Sequence, residues 1–483
     1  MKTSALAFML TLAVWLPAEW QQGKETPSLA APTFSESIAP ILYSNCVSCH
    51  RPGEAAPFPL ISYEDVVKRG ALVAKVTQSR YMPPWRAAHG YGEFKDERRL
   101  TDAQIESIGA WVRAGMPRGD RAKMPAPPQF TDVWQLGKPD LILEMAESYD
   151  VPADGPDIYR NFIVPTGLTE DKWVRAVEFR PSARKAVHHA LISYVRGDSA
   201  AKLDARSEEP GFGGAMLVSL VPGGQFQPAG QLGGWAVGTT PRFFPGGFSR
   251  PMAKGSDLIL QLHFHPTGRP EVERSLVGLY FADTPAERRL FTPGIPGLFG
   301  LLANIDIPAG EEVYTINGSF TTPVDMHALS VTAHAHYLGK EFKVTATLPD
   351  GSTKPMLWIQ DWDFNWQDRY DYKEPVLLPK GTRVDVAITY DNSAANPRNP
   401  CNPPRRVTWG VQSLDEMGSV NFVMVAVNKE DEDALQQKLA AMVKTTLAEL
   451  GRSGAVKRYF SQQQRFMDGT ERRPADGCGE GPR

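Results

Sequence analysis

Two histidines in the stretch 331–339 have the residue types and the spacing to hold a metal ion. Val331 and Thr332 are β-branched and favour a strand, in which side chains two residues apart share a face. His334 and His336 would then point the same way, and neutral imidazole is the commonest metal ligand in proteins. The pair predicts a metal ion between the two rings, but a surface or hydrogen-bonded pair explains the pattern equally well.

Further histidines also occur in pairs. His188 and His189 are adjacent at the start of an apolar run, where neighbouring strand side chains point to opposite faces. Both can bind one ion only at a bulge or a strand end. His263 and His265 lie on the polar face of the alternating run 258–265. Chance scattering of nine histidines rarely pairs them in this way.

A methionine adds a soft ligand to this inventory. Met417 ends the run 409–417, and in isolation a packing role is its favoured interpretation. Two imidazoles with a thioether suit copper, because sulfur favours Cu(I) and imidazole serves both oxidation states. The alternative is a mononuclear iron site made by His334, His336 and a carboxylate such as Glu416.

A second candidate cofactor site lies near the N-terminus. Cys46, Cys49 and His50 form the sequence Cys-x-x-Cys-His, which attaches c-type haem covalently through the thiols and binds its iron through the histidine. Zinc would require another cysteine pair nearby, and the sequence has none there. We therefore predict a covalently bound haem c.

Three helical patterns surround this motif, beginning near residues 33, 62 and 101. Two of them begin with capping-box spacing. They predict a small all-α cytochrome c domain over residues 32–125. The favoured sixth haem ligand is Met82, because prolines stiffen its loop, while Met116 and His89 are the alternatives.

Composition bounds the remaining possibilities. The chain has 483 residues, room for about three domains, and a net charge of -3, which gives no basic surface for nucleic acid. Lys2 and the apolar run 5–16 predict a signal peptide within residues 1–31, too short to span a membrane. We expect a periplasmic or secreted protein.

Beyond residue 125 short apolar or alternating runs are bounded by Gly, Pro, Asn and Asp. This spacing is typical of antiparallel sandwiches or jelly rolls, and the length requires two. The predicted fold class is therefore multidomain, with the all-α domain first. It continues with a linker (126–139), two copper-binding β-sandwich domains (140–300 and 301–428) and a C-terminal helix and tail (429–483).

Four motifs in this order resemble the type II ascorbate-dependent copper monooxygenases, the family of peptidylglycine α-hydroxylating monooxygenase and dopamine β-monooxygenase. They are His188-His189, the Gln-Leu-His ending at His263, the stretch 334–340 and the Asp-Glu-Met ending at Met417. The resemblance implies two sandwich domains that face each other across a solvent cleft, with one copper in each.

The resemblance also implies roles for individual residues. His188, His189 and His263 would hold an electron-transfer copper. His334, His336 and Met417 would hold the catalytic copper. His327 matches a further family histidine, which we expect to have a supporting or structural role.

Departures from the family pattern concern the substrate. Thr332 stands where peptide-hydroxylating members carry an Arg that binds the substrate carboxylate, and Ser419 and Asn421 replace their Asn and Tyr. A peptidyl-glycine substrate is therefore not expected.

A further departure concerns a disulfide. Gly418 replaces the cysteine of animal members, which leaves Cys401 without its family partner, and we predict a bridge from Cys401 to Cys478 instead.

These observations predict a copper-dependent monooxygenase that hydroxylates a C–H bond of a small organic substrate with O2. An external donor would reduce the haem, which would pass electrons to the first copper and then to the second. The alternative is a non-enzymatic haem and copper protein for electron transfer or copper carriage.

Two interpretations of the aromatic run 358–366 are open: it lines the substrate cleft, or it packs within a sandwich.

Overall fold

The computed structural model describes residues 31–52, 54, 56–130, 134–155, 157–214, 229–237, 239–286, 288–453 and 478. The predicted signal peptide therefore lies, except for residue 31, outside the described residues. Most of the described chain forms β-strands in several antiparallel sheets. Among the described helices, none is long and apolar enough to cross a membrane.

The N-terminal region contains only short helices. Two of them begin with capping boxes, at Ser62 and Thr101, and the longest has 12 residues. They pack around a small apolar cluster that includes Phe34, Leu42 and Trp111. The helices are Phe34–Ile38, Ala39–Asn45, Tyr63–Val67, Gly70–Gln78, Asp102–Arg113 and Arg121–Lys123.

The predicted fold class, with a separate all-α cytochrome c domain, is wrong. The stretch 81–100 between the helices contains turns and two isolated bridge residues, and it joins the second β region. Ala87 pairs with Ile359, and Phe94 pairs with Tyr372. Trp85, Ala87 and Phe94 are buried in the hydrophobic core of that β region. The short helices are thus attached to a mostly β structure through strand pairing and a shared core.

The first β region has two main sheets that share one core, to which Phe162, Leu260 and Leu279 contribute. The five-stranded sheet has the order Phe212–Gly213, Ile158–Pro165, Ser256–Phe264, Val187–Arg196, Gly230–Ala236. The four-stranded sheet has the order Leu141–Glu144, Leu276–Phe281, Lys172–Arg180, Arg250–Met252. Smaller elements are the paired strands Tyr149–Val151 and Glu271–Glu273 and the helices Ser199–Asp204 and Pro245–Gly247.

The second β region repeats this arrangement around a core that includes Val331, Phe342 and Phe422. One sheet has the order Gly294–Ile295, Gly418–Ala426, Met326–Ala335, Arg369–Leu378. The other has the order Tyr314–Thr321, Arg383–Tyr390, Gly339–Thr347, Thr353–Ile359. Smaller elements are the paired strands Asp306–Ile307 and Val407–Thr408 and the helix Leu298–Ala303.

The C-terminal part of the chain packs on the second β region. After the short helix Lys429–Asp431, the helix Glu432–Ser453 buries Leu435 in the core of that region. Cys401 and Cys478 form a disulfide, which confirms the predicted bridge.

Strand register brings the candidate ligands together. His189 pairs with His263, and a register shift between Val187 and His189 marks a bulge at His188. This is the irregularity that two adjacent strand histidines need if both are to bind one ion. In the second β region His334 pairs with Ser419. Met417 precedes that strand and therefore lies at the same end of the sheet as His336.

Candidate metal centres

We define the first cluster as His188, His189 and His263, whose ligand atoms all lie within 4.8 Å of one another. The Nδ1 atom of His189 is 3.1 Å from Nδ1 of His263 and 3.4 Å from Nδ1 of His188. Three ring nitrogens thus converge from two paired strands. Burial lowers the pKa of His188 and His189 well below the usual range, so both rings are neutral and available as ligands.

Asp157 supports the first cluster from outside. One of its oxygens is 3.1 Å from Nε2 of His263, and the other accepts a hydrogen bond from Nδ1 of His265 at 2.8 Å. Burial would raise the pKa of Asp157, but His263, His265 and Ser413 hold it well below its usual range. A charged carboxylate beside Nε2 favours the proton on that nitrogen and leaves the Nδ1 lone pair of His263 for the cluster.

The first cluster also contacts the second β region. The backbone N–H and the hydroxyl of Ser413 donate to Asp157. Tyr159 stacks on His263 with ring centroids 4.2 Å apart, and its hydroxyl donates to the Val411 carbonyl at 2.7 Å. The stretch 411–417 is therefore held against the first cluster at one end, while Met417 lies at its other end.

We define the second cluster as His334, His336 and Met417. The two imidazole centroids are 5.3 Å apart. Nδ1 of His334 donates to the Gln367 side-chain oxygen at 2.6 Å, and Nδ1 of His336 donates to the Asp415 carbonyl at 3.1 Å. Because carbonyl oxygens only accept, both rings carry their proton on Nδ1 and have a free lone pair on Nε2.

The amide of Gln367 is oriented by a second contact. Its Nε2 donates to the Phe364 carbonyl at 3.1 Å, which fixes the oxygen toward His334. Burial lowers the pKa of His334 to about 4 and of His336 to about 3. The second cluster therefore offers two neutral imidazoles with a defined tautomer.

Glu416 holds the backbone of Met417 close to the backbone of His336. Its carboxylate accepts hydrogen bonds from the backbone N–H groups of His336 (2.9 Å), Leu338 (2.6 Å) and Met417 (3.2 Å). Burial raises the pKa of Glu416 to about 8. The three backbone hydrogen bonds occupy both oxygens of Glu416. This arrangement does not fit the role of iron ligand that the alternative assigned to Glu416. Met417 itself is buried.

The two clusters meet at one side chain. Phe364 stacks on His188 with ring centroids 4.6 Å apart and contacts the ring of His336 at 5.4 Å. Added together, these distances limit the separation of the His188 and His336 ring centres to 10.0 Å. The buried phenyl ring of Phe364 thus contacts one histidine of each cluster. On its other side the second cluster is contacted by Phe299, 5.5 Å from the ring of His334.

The candidate haem ligands lie directly after the helix Ala39–Asn45. Cys46 and Cys49 are free thiols, and the backbone N–H groups of Cys49 and His50 both donate to the Cys46 carbonyl. Nδ1 of His50 donates to the Phe58 carbonyl at 3.0 Å, which leaves Nε2 unprotonated. Two thiols on one turn and an imidazole with a free Nε2 are the donor set that haem attachment requires.

The three candidate sixth ligands differ in their surroundings. Met82 lines a cavity of about 50 Å³ together with Arg99 and Ile105. Met116 packs with its sulfur close to Gly70. His89 is 79% exposed and lies 3.6 Å from Glu97, so its ring faces solvent. Met82 and Met116 therefore suit an enclosed ligand better than His89 does.

The haem motif lies close to the first cluster. Glu54 accepts hydrogen bonds from Arg51 at 2.8 Å and from Arg184 at 2.6 Å. Arg51 directly follows His50, and Arg184 lies four residues before His188. His327, by contrast, is seven residues from His334 along one strand, roughly 23 Å away at the usual rise, and contacts neither cluster.

Sequence reasoning missed four side chains that shape these clusters: Asp157, Tyr159, Phe364 and Gln367. Phe364 lies in the aromatic run whose two interpretations were left open, so its position carried a partial signal. Asp157 and Gln367 carried none, because each reaches its histidine from a distant part of the chain. Their contacts depend on the folded arrangement alone.

Comparisons with known proteins add no assignment. No family model matches the chain, and no curated protein matches it. A structure of PNGF-II is 9% identical with a TM-score of 0.24, over 59% of this chain and 64% of that chain, less than two thirds of it. The infectious bursal disease virus VP2 subviral particle is 9% identical with a TM-score of 0.15, over 68% of this chain and 95% of that chain. Likenesses this weak carry no argument.

Proposed function

We propose that the protein is a copper-dependent monooxygenase that hydroxylates a C–H bond of a small organic substrate with O2. The observation that carries this proposal is the pair of histidine clusters that both contact Phe364. Three imidazole nitrogens converge in the first cluster. In the second cluster His334 and His336 each have a free Nε2, and Met417 lies at the same end of the sheet. We also propose that the protein is exported and that one copper site lies in the region 140–300 and the other in the region 301–428.

The two clusters would have different roles. His188, His189 and His263 would hold a copper ion that carries electrons. His334, His336 and Met417 would hold the copper ion at which O2 reacts. Copper bound at the second cluster would supply one-electron chemistry and O2 activation.

The surrounding residues would position and enclose these ligands. Asp157 and Gln367 orient one histidine each, and a fixed ring orientation raises metal affinity. Phe299 and Phe364 form apolar walls beside His334 and His336, which limits the access of water to the reacting centre.

The sheet face beside the second cluster carries one cation. Thr332 pairs with Asn421 and His334 with Ser419, and Arg369 pairs with Thr332 on its other side, so these side chains share one sheet face. The guanidinium of Arg369 is already paired with Asp371 at 2.9 Å, which does not favour its use for a substrate carboxylate. The proposal therefore does not extend to the peptidyl-glycine substrate of the resembled family.

Haem attached to Cys46 and Cys49 would supply electrons from an external donor. The free thiols and the Nε2 lone pair of His50 support attachment. The contact of Glu54 with Arg184 places this motif next to the strand that bears His188. Met82 remains the proposed sixth ligand.

The second candidate function is electron transfer or copper carriage without oxygenation. The contact of both clusters with Phe364 favours it, because a short separation suits electron exchange whether or not O2 reacts. The two functions differ in their use of O2.

The deciding experiment measures O2 uptake and product mass with copper-loaded, reduced protein. The substrate panel contains small aliphatic, aromatic and amide compounds. We expect a product 16 mass units heavier than one substrate with ordinary O2 and 18 units heavier with ¹⁸O2, and no such product with His336→Ala. Metal analysis should give about two coppers and one iron per chain. Rapid haem oxidation without any oxygenated product would favour electron transfer, and protein that binds no copper would exclude both functions.

A further inference from the structure

The stretch 361–368, here called the bridging segment, contacts three separate parts of the molecule. It connects the strands Thr353–Ile359 and Arg369–Leu378 of two different sheets. Its side chains reach the first cluster, the second cluster and the N-terminal stretch 81–100.

Phe364 makes the contacts with the clusters. Its ring stacks on His188 with an interplanar angle of 28° and meets the ring of His336 edge-on at 68°. Tyr337 packs against the same ring, 4.7 Å away. Phe364 is only 4% exposed. Any shift of this ring must therefore move at least one of the two histidines or open a cavity.

Neighbouring residues fix the same segment to the second cluster. Trp362 donates from its indole N–H to the His336 carbonyl at 3.1 Å. Gln367 accepts from His334 at 2.6 Å and donates to the Phe364 carbonyl. Both histidines of the second cluster are thus bound to the segment that carries Phe364.

Ion pairs fix the segment to the N-terminal stretch, and the pair of Arg86 with Asp363 is buried on both sides. Arg86 donates to Asp361 and to Asp363, at 2.9 Å in each case, and its side chain is only 8% exposed. Arg98 pairs with Asp368. Removing one partner of a buried pair leaves an uncompensated charge, so these contacts resist displacement of the segment.

We propose that Phe364 is a positioning residue that sets the two histidine clusters relative to each other, and that Arg86 holds it there from the N-terminal stretch. Arg86 thereby couples the N-terminal stretch to both clusters through the bridging segment. The catalytic meaning of this coupling rests on the proposed function. The coupling itself is a property of the protein without metal.

The test uses metal-free, full-length protein with ¹³C-labelled histidine. Nine histidines give few enough signals to assign by single substitutions. Phe364→Leu should remove the ring-current shift from the signals of His188 and His336 together, because both rings lie against the phenyl ring. Phe364→Tyr should keep both shifts.

Two further variants make the test specific. Arg86→Gln should move the same two signals in the direction seen for Phe364→Leu. Phe243→Leu is the matched control, because Phe243 is 41% exposed and packs against Arg175 and Tyr280 instead. If Phe364→Leu leaves either signal in place, the positioning role is overturned. If Arg86→Gln leaves both histidine signals in place, the proposed role of Arg86 is overturned.

A copper-loaded arm separates this inference from the proposed function. In wild-type protein with two Cu(II) ions, we expect dipolar broadening of the electron paramagnetic resonance spectrum. Phe364→Leu should reduce this broadening while two coppers stay bound. Unchanged broadening at full copper content would overturn the inference alone. Wild-type protein without copper would overturn the proposed function, and the histidine signals would still decide the positioning role.

Discussion

The two histidine clusters use opposite nitrogens of the imidazole ring. In the first cluster Nε2 of His263 faces the carboxylate of Asp157, and Nδ1 faces the neighbouring histidines. In the second cluster Nδ1 of His334 and His336 donates to carbonyl oxygens, and Nε2 is left as the donor to a metal. In each cluster one ring nitrogen faces an outer partner, and the other ring nitrogen therefore faces the cluster.

The outer partners also differ in charge, which bears on the metal each cluster would stabilise. A carboxylate beside His263 makes that imidazole a stronger donor and favours the more highly charged Cu(II). Neutral carbonyl oxygens and the thioether of Met417 favour Cu(I), the state that reacts with O2. If both clusters bind copper, as proposed, the two ions would have unequal potentials, which would direct electrons from the first cluster to the second.

The largest expected effect comes from removing one ligand from each cluster. His189→Ala and His336→Ala should each lower the copper content from about two ions per chain to about one, because each copper would lose one of three protein ligands. Metal analysis after dialysis measures the loss. The double variant should retain almost none. Loss of both coppers in either single variant would contradict two separate sites.

A smaller effect is expected from the outer partners. Asp157→Ala should weaken copper binding at the first cluster by about 10- to 100-fold, and Gln367→Ala should do the same at the second, since each removes the group that orients a ligand. Copper titration of His336→Ala and His189→Ala backgrounds isolates each site. Asp157→Asn is the conservative control, because an amide oxygen can still accept from His263. If either substitution weakens copper binding at the other cluster instead, the assignment of Asp157 to the first cluster and Gln367 to the second is contradicted.

Local sequence patterns marked the candidate ligands but not the side chains that support them. The spacing of His334 and His336, the adjacent pair at His188 and the need for a bulge there follow from the two-residue repeat of a strand. Asp157 and Gln367 reach their histidines across 106 and 33 residues of chain, respectively, so no local pattern marks them.

The error in the N-terminal region has the same origin. Helical periodicity and capping boxes correctly indicated short helices, including Asp102–Arg113. They carried no information about the stretch 81–100 between them, whose backbone pairs with Ile359 and Tyr372 far along the chain. Pairing with a distant strand depends on which edges the folded sheets leave available, and this cannot be seen in the stretch itself.

The smallest expected effect is a pH dependence that both clusters share despite their opposite nitrogens. Burial lowers the pKa of His336 to about 3 and holds the pKa of His189 well below its usual range. The unfolded chain, with histidines near 6.5, then binds more protons than the folded one, so stability falls as the pH drops through 6.5. Each such histidine contributes up to about 1.4 kcal/mol of this loss between pH 7.5 and 5.5.

Urea unfolding of metal-free protein at these two pH values measures that loss. His336→Gln and His189→Gln should each reduce it by about 1 kcal/mol. If only one cluster variant reduces the pH dependence, the histidine in the other cluster is hydrated enough to take up a proton when folded. That cluster would then be the more open of the two, which a shared wall at Phe364 does not allow.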